Sequence, residues 1–207
     1  NIFHATKITF ANEIAALSAK LGADPLEIME IFRNDDILNC SSAYLRPGFA
    51  FGGSCLPKDL RAISAIASQN HQQLPMLQSL LLSNKQQIEN VANVIIDSGV
   101  NSAAMLGLSF KSGSDDLRES PYLILAEHLL GKGIKLKIYD PDIQQQKLLG
   151  SNMEYVYKRS FHILNYLEEE FREAIKDVES IILCKDLLHH GIIADLSRMI
   201  IFDIEYY

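Results

Sequence analysis

The chain has 207 residues and is 48% hydrophobic, which is enough to bury a substantial core in one large or two small domains. Its formal net charge of −7 argues against a nucleic-acid partner, because phosphate backbones are bound by basic surfaces. No apolar run of about 18 residues predicts a transmembrane helix, and Asn1–His4 lacks the features of a secretory signal. We therefore expect a cytoplasmic protein without a membrane partner.

Helical periodicity marks the beginning of the chain. Apolar residues at helical spacing predict a first helix from Ile2, which ends at Gly22. Asp24 and Pro25 have the chemistry of an N-cap and of a first helical position, so a second helix is predicted from there to about Arg33.

A glycine-rich loop with a cysteine at its end precedes the third predicted helix. Residues 46–59 read R-P-G-F-A-F-G-G-S-C-L-P-K-D. Gly52 and Gly53 allow the backbone to approach a ligand closely. A helix N-terminus and the neighbouring Lys58 both favour the anionic form of the Cys55 sulfur. Cys55 is therefore a candidate nucleophile, with an inert buried thiol as the alternative interpretation.

Two further helices follow this loop. One is predicted from about Pro57 to Gln69 and the other from about Pro75 to Ser98. The second would extend for about 36 Å at 1.5 Å per residue. A helix of this length usually bridges parts of a structure, although a core helix within one domain is the alternative.

From residue 101 onward, short apolar runs alternate with amphipathic segments, as in parallel strands connected by helices. Strands are predicted near residues 103–108, 136–139, 180–183 and 199–202. Helices are predicted near residues 121–131, 143–149, 164–178 and 187–196. We therefore expect an α/β fold, with a helical central domain over residues 1–99 and a small Rossmann-like parallel-sheet domain over residues 100–207.

The second region lacks the usual dinucleotide-binding loop, because G-x-G-x-x-G occurs nowhere in the chain. Gly131 and Gly133 follow a predicted helix rather than open one. We therefore interpret the sheet as carrying a nucleotide or a sugar at its strand ends, rather than NAD in the standard manner.

A loop with two cations follows the first predicted strand. Residues 110–121 read F-K-S-G-S-D-D-L-R-E-S-P. Lys111 and Arg118 suit a phosphate or a carboxylate, and Ser120 with Pro121 supplies an N-cap and a first helical residue. The alternative is that both cations are ordinary solvated side chains.

No metal site is indicated. The cysteines Cys40, Cys55 and Cys184 lie far apart, which predicts neither a disulfide framework nor a zinc site. His189 and His190 are adjacent, and adjacent side chains on a helix point in different directions.

The two loop motifs closely resemble the signature segments of the nucleotide-sugar dehydrogenases, and the resemblance extends from Asn1 to about Tyr157. Leu56 after the cysteine, with R-P-G-F-A-F before it, is most similar to the GDP-mannose 6-dehydrogenase branch. The resemblance implies NAD-dependent oxidation of GDP-mannose to GDP-mannuronate through a Cys55 thioester. A UDP-sugar 6-dehydrogenase acting on UDP-glucose or UDP-ManNAc, a non-catalytic dimerisation and nucleotide-binding module, and another thiol enzyme on a similar scaffold remain alternatives.

The same resemblance implies roles for individual residues. Cys55, Asn1 and Asp59 would be catalytic, and Lys58 and Arg118 would contact NAD. The residues implied to bind the sugar nucleotide are His4, Asn12, Tyr44, Arg46, Phe49, Gly52 and Lys111. From the residues alone, Asn1 reads equally as a frayed terminus, His4 as a partly exposed helix histidine and Asn12 as part of a polar helix face.

The resemblance also implies partners. The long helix would form much of a homodimer interface, and an NAD-binding domain would lie upstream of Asn1 together with an active-site lysine. We therefore expect the 207 residues by themselves not to turn over.

Overall fold

The computed structural model describes residues 1–20, 22–35, 47–69, 71, 75–111, 113–143, 160–185 and 199–204. Its elements are α1 (Ile2–Lys20), α2 (Pro25–Arg33), α3 (Leu56–Gln69), α4 (Pro75–Asp97), β1 (Ser102–Leu106), α5 (Pro121–Gly131), β2 (Lys135–Tyr139), a 3-10 helix (Phe161–Tyr166), α6 (Phe171–Ile175), β3 (Ser180–Leu183) and β4 (Ile200–Asp203). This order of helices followed by strands confirms the expected fold class.

The chain divides into two compact units, and the division lies between Ile88 and Glu89, inside α4. The long helix thus contributes residues to both units. The domain boundary between residues 99 and 100 remains a prediction of the sequence. Among the residues placed by the structure, no helix combines the length and apolarity that crossing a membrane requires.

The second helix of the first unit begins where local chemistry predicts. The Asp24 side chain accepts the Leu26 N–H at 2.8 Å, and Pro25 occupies the first turn of α2, so the predicted N-cap is confirmed. Phe10 of α1 and Phe32 of α2 make an edge-on ring contact with centroids 5.2 Å apart. This contact joins the first two helices.

The core of the first unit gathers α1, α3, α4 and one loop residue. Its buried members are Ala5, Phe51, Leu60 and Leu80. Phe51 belongs to the loop before α3, so the loop is anchored in the same apolar cluster as the helices. The position of the residues that follow it depends on this anchor.

The second unit is built on a four-stranded parallel sheet with the strand order β2-β1-β3-β4. Residues 103–106 of β1 are fully buried, as expected for a strand with a neighbour on each side in a parallel sheet. Because the strands run in one direction, β1, β2 and β3 all end at the same edge. The connection after β1 leads to β2 on one side of it, and the connection after β2 leads to β3 on the other side. Such a reversal of direction is where α/β sheets bind ligands.

The predicted helix over residues 164–178 is wrong. A 3-10 helix ends at Tyr166, and Leu167 then forms a parallel bridge with Ile138 at the edge of the sheet. The Glu168 N–H donates to the Ile138 carbonyl oxygen at 2.8 Å, and α6 begins only at Phe171. Pairing with the sheet therefore interrupts the helical pattern, and the acidic run at residues 168–170 lies in the interruption rather than on a helix face.

The other predicted elements agree with the structure to within two residues at nearly every end. Ser120 caps α5 through the Leu123 N–H, with Pro121 at the first helical position. The strand predicted to reach Leu108 instead ends at Leu106, because Gly107 has a φ of +110°. The predicted helix over 187–196, and all but the first residue of the one over 143–149, lie outside the described residues.

Candidate active site

Cys55 lies immediately before α3, and its thiol is exposed. Its carbonyl oxygen accepts the Asp59 N–H at 2.9 Å, which is the first turn of the helix. The sulfur lies 3.8 Å from the Ser54 hydroxyl oxygen. By contrast, Cys184 is fully buried, and burial, together with the nearby Asp140, raises the pKa of its thiol well above the ordinary value. Of these two thiols, Cys55 is therefore the one accessible to a reactant.

Asn1 and Asp59 meet at the start of α3. The Asn1 side-chain amide donates to Asp59 Oδ2 at 2.5 Å, although 58 residues separate the two in sequence. This hydrogen bond lowers the pKa of the Asp59 carboxyl, an effect that desolvation partly opposes and the Lys58 ammonium reinforces. Asp59 follows Cys55 by four residues, so an ionised carboxylate lies one helical turn beyond the thiol.

The loop before Cys55 is held by side-chain amides. Asn84 of α4 accepts the Phe51 N–H at 2.8 Å and donates to the Phe51 carbonyl oxygen at 2.9 Å. Gln87 donates to the Gly48 carbonyl oxygen at 3.3 Å, and Asn12 of α1 accepts the Gly48 N–H at 2.9 Å. Asn12 was expected to bind substrate, and the structure places its buried side chain on this loop. Three side-chain amides therefore bind the N–H and the carbonyl oxygen of both Gly48 and Phe51.

Sequence reasoning did not identify Asn84 and Gln87. The available signal is their spacing, because they follow the buried Leu80 by four and seven residues and so continue the inward-facing stripe of α4. A polar amide on such a stripe indicates a buried hydrogen-bond partner.

The remaining predicted residues of this unit have distinct surroundings. His4 is exposed one turn after Asn1, and Phe49 is buried within the loop. Gly52 is partly buried next to Gly53, which has a φ of +80° and redirects the backbone toward Cys55. Tyr44 and Arg46 lie outside the described residues.

The second unit carries the other predicted cations in the loop between β1 and α5, called the β1–α5 loop (residues 107–120). Lys111 is exposed. Arg118 donates through Nε and Nη2 to the two carboxylate oxygens of Asp116, at 2.8 and 2.7 Å. These bonds lower the pKa of Asp116, and partial desolvation of the carboxyl opposes them by raising it. An anion that binds Arg118 must therefore share the guanidinium with Asp116.

A buried ion pair that sequence reasoning did not identify lies beneath this loop. Lys185, two residues after β3, donates to both carboxylate oxygens of Asp140, which directly follows β2, at 3.0 and 2.8 Å. Their side chains are 3% and 0% exposed. The same ammonium contacts the Ser109 hydroxyl and lies 3.2 Å from Asp142. A charged residue within two positions after each of two predicted strands was the signal in the sequence.

Comparison with known families identifies both parts of the chain. Residues 1–86 match the central domain of the UDP-glucose/GDP-mannose dehydrogenase family, and residues 104–204 match the UDP binding domain of the same family. The chain belongs to the UDP-glucose/GDP-mannose dehydrogenase family.

Individual relatives are consistent with this assignment. The chain is 45% identical over 183 residues to the GDP-mannose 6-dehydrogenase of Pseudomonas savastanoi pv. phaseolicola, covering 88% of this chain and 42% of that protein. It is 35% identical to the UDP-glucose 6-dehydrogenase of Rickettsia bellii, covering 75% and 37%. A crystal structure of a ternary complex of GDP-mannose dehydrogenase from Pseudomonas aeruginosa superposes with a TM-score of 0.72 at 40% identity, covering 99% and 47%. The chain thus spans less than half the length of these relatives.

We expect Asn84→Ala to lower the free energy of unfolding by about 1–3 kcal/mol, because both peptide groups of Phe51 lose their partner. The matched control is Gln78→Ala, an exposed position on the same helix, where a change near zero is expected. Urea unfolding of both variants gives the measurement. Equal stabilities of the two variants would show that Asn84 does not hold the loop.

We expect Asn1→Ala to raise the pKa of Asp59 toward 3.8, since the strongest of the effects that lower it is removed. Lys58→Met should produce a smaller rise. Because the folded-state pKa lies below the unfolded value, the Asn1 bond stabilises the fold above about pH 3.8, and this stability is lost as the pH falls through the folded-state pKa. Carboxyl carbon NMR titration measures the shift, and a larger effect of Lys58→Met would contradict the assignment.

Proposed function

We propose that this chain carries the reactive thiol and the sugar-nucleotide site of an NAD-dependent dehydrogenase that oxidises GDP-mannose to GDP-mannuronate. The observation that carries the proposal is the exposed Cys55 at the start of α3, one turn before an Asp59 carboxylate that Asn1 holds. The GDP-mannose 6-dehydrogenase relatives, at higher identity than the UDP-glucose 6-dehydrogenase quoted above, support this choice of substrate.

The thiol suits a four-electron oxidation. The primary alcohol of the sugar is first oxidised to an aldehyde, which the Cys55 thiolate captures as a thiohemiacetal. A second oxidation converts this adduct into a thioester on Cys55. Water then cleaves the thioester, and Asp59 orients that water while the acid leaves and the thiol is restored. One alcohol and one water thus yield one acid with the loss of two hydrides and two protons.

NAD, when bound, accepts the hydride of each oxidation. Lys58, whose side chain is exposed, is one proposed contact of such a cofactor. Arg118 is the other, and its guanidinium would then be shared with Asp116. These 207 residues contain no G-x-G-x-x-G segment, so the contribution proposed for them is contacts from side chains.

For the sugar nucleotide, Lys111 is the proposed phosphate ligand, since it is an exposed cation at the edge where parallel strands end. His4, Asn12, Phe49, Gly52, Tyr44 and Arg46 complete the proposed substrate-binding set. Assembly as a homodimer is also part of the proposal, with the family resemblance as its support.

In the full-length polypeptide that includes these residues, Cys55→Ser should reduce the rate of NADH formation by about 1,000-fold or more, because no thioester can form. Binding of GDP-mannose should stay within about twofold, since the substitution changes one atom. Cys184→Ala is the control, and it should retain turnover because that thiol is buried.

Two other outcomes would favour the alternative functions. Normal turnover by Cys55→Ser would exclude the covalent mechanism. A full-length protein that binds GDP-mannose but forms no NADH even with Cys55 present would be a non-catalytic nucleotide-binding module.

Calorimetric titration tests the substrate. We expect GDP-mannose to bind saturably with UDP-glucose as a poor competitor, and Lys111→Met to weaken binding by about 10-fold or more, because a bond to a phosphate is lost. Lys132→Met, an exposed lysine at the end of α5, is the control and should bind normally. Preferential binding of UDP-glucose would move the chain to the UDP-sugar branch.

A further inference from the structure

We propose that Asp140 and Lys185 form a buried positioning pair that fixes the β1–α5 loop and, through Ser109, the backbone of Lys111. This inference rests on the proposed function, because it concerns the loop assigned to the sugar nucleotide. Neither residue would touch the ligand itself.

The topology places the pair across the end of β1. Asp140 directly follows β2, and Lys185 comes two residues after β3. Because the strand order is β2-β1-β3, these two strands lie on opposite sides of β1. The ion pair therefore bridges the point where the chain leaves β1 and enters the loop.

The carboxylate of Asp140 holds the first part of the loop. Its Oδ2 atom accepts the N–H groups of Leu108 and Ser109 at 2.7 and 2.9 Å. Its Oδ1 atom accepts the Asp142 N–H at 3.0 Å, and Asp142 in turn accepts the Gly113 N–H at 2.8 Å. Peptide groups on both sides of Lys111 are thus held by two carboxylates, Asp140 and Asp142, and both of these contact Lys185.

A chain of hydrogen bonds leads from the ammonium to Lys111. Lys185 contacts the Ser109 hydroxyl, and that hydroxyl donates to the Lys111 carbonyl oxygen at 3.1 Å. The far end of the loop is fixed separately, because the Ser120 hydroxyl donates to the Leu108 carbonyl oxygen at 2.6 Å. The backbone of Lys111 is therefore set while its side chain remains exposed.

The backbone at Gly107 is shaped around the pair. A Cβ atom added there would lie 2.8 Å from Cγ of Lys185, closer than such contacts allow, and the φ of +110° also favours glycine. The lysine stem thus passes directly against the end of β1.

The attraction between the two charges alone is a poor explanation for this arrangement. Two charges removed from water carry a desolvation penalty, and replacing a buried ion pair by apolar residues is often neutral or stabilising. An apolar pair, however, offers no acceptor for the Leu108 and Ser109 N–H groups and no donor for Ser109. What the ion pair provides is a defined loop conformation, and that is a positioning role.

The decisive variant is the double substitution Asp140→Leu with Lys185→Met in the full-length protein. We expect it to fold, to bind GDP-mannose about 10-fold or more weakly by calorimetry, and to keep kcat at saturating GDP-mannose within about threefold. Amide hydrogen exchange at Leu108, Ser109 and Gly113 should become faster. A folded double variant with unchanged affinity would overturn the proposal.

Ser109→Ala covers the case in which the double variant does not fold, because it removes only the link to Lys111. A severalfold loss of GDP-mannose affinity at unchanged kcat is expected, and unchanged affinity would overturn the proposal.

Lys111→Met distinguishes failure of the positioning role from failure of the proposed sugar-nucleotide site. If that variant weakens binding and Ser109→Ala does not, the positioning role alone fails; if neither does, the proposed sugar-nucleotide site fails with it.

Discussion

Both candidate sites are irregular backbone segments packed against helices or strands, and their peptide groups must find hydrogen-bond partners that no helix or sheet supplies. In the first unit, the partners are the amides of Asn12, Asn84 and Gln87. In the second unit, the partner is the Asp140 carboxylate. The position of Cys55 and that of Lys111 both depend on this requirement.

The two loops use different side chains as partners because their backbone groups without helix or sheet partners differ. A side-chain amide is both donor and acceptor, so Asn84 serves the N–H and the carbonyl oxygen of Phe51 together. It does so without adding charge to a loop that leads to a thiol. A carboxylate only accepts, so Asp140 serves the consecutive N–H groups of Leu108 and Ser109. Its buried charge then requires Lys185, and the ammonium becomes a further donor for the loop.

The parts of the fold that follow from nearby residues could be predicted, whereas the parts that depend on distant partners could not. Asp24 with Pro25 and Ser120 with Pro121 specify helix starts within a few residues, and α2 and α5 begin there. The break in the predicted helix over 164–178 depends on Leu167 pairing with Ile138, a strand partner that local periodicity does not reveal. Asn84 and Lys185 find their partners 33 and 45 residues away, so their roles emerge only once the fold brings them together.

The pairing of Arg118 with Asp116 changes how a cation in such a loop should be interpreted. The guanidinium already makes two charge-assisted bonds, and the lowered pKa of Asp116 shows that the carboxylate remains ionised in the pair at neutral pH. An anionic ligand at Arg118 therefore exchanges one anion for another, so the net gain is smaller than for a solvated arginine. In return the planar guanidinium is held in one orientation before the ligand arrives, which reduces the conformational entropy lost on binding. Within the part of the chain that the structure describes, no such pair of bonds orients the Lys111 side chain, so its backbone is where the described contacts act.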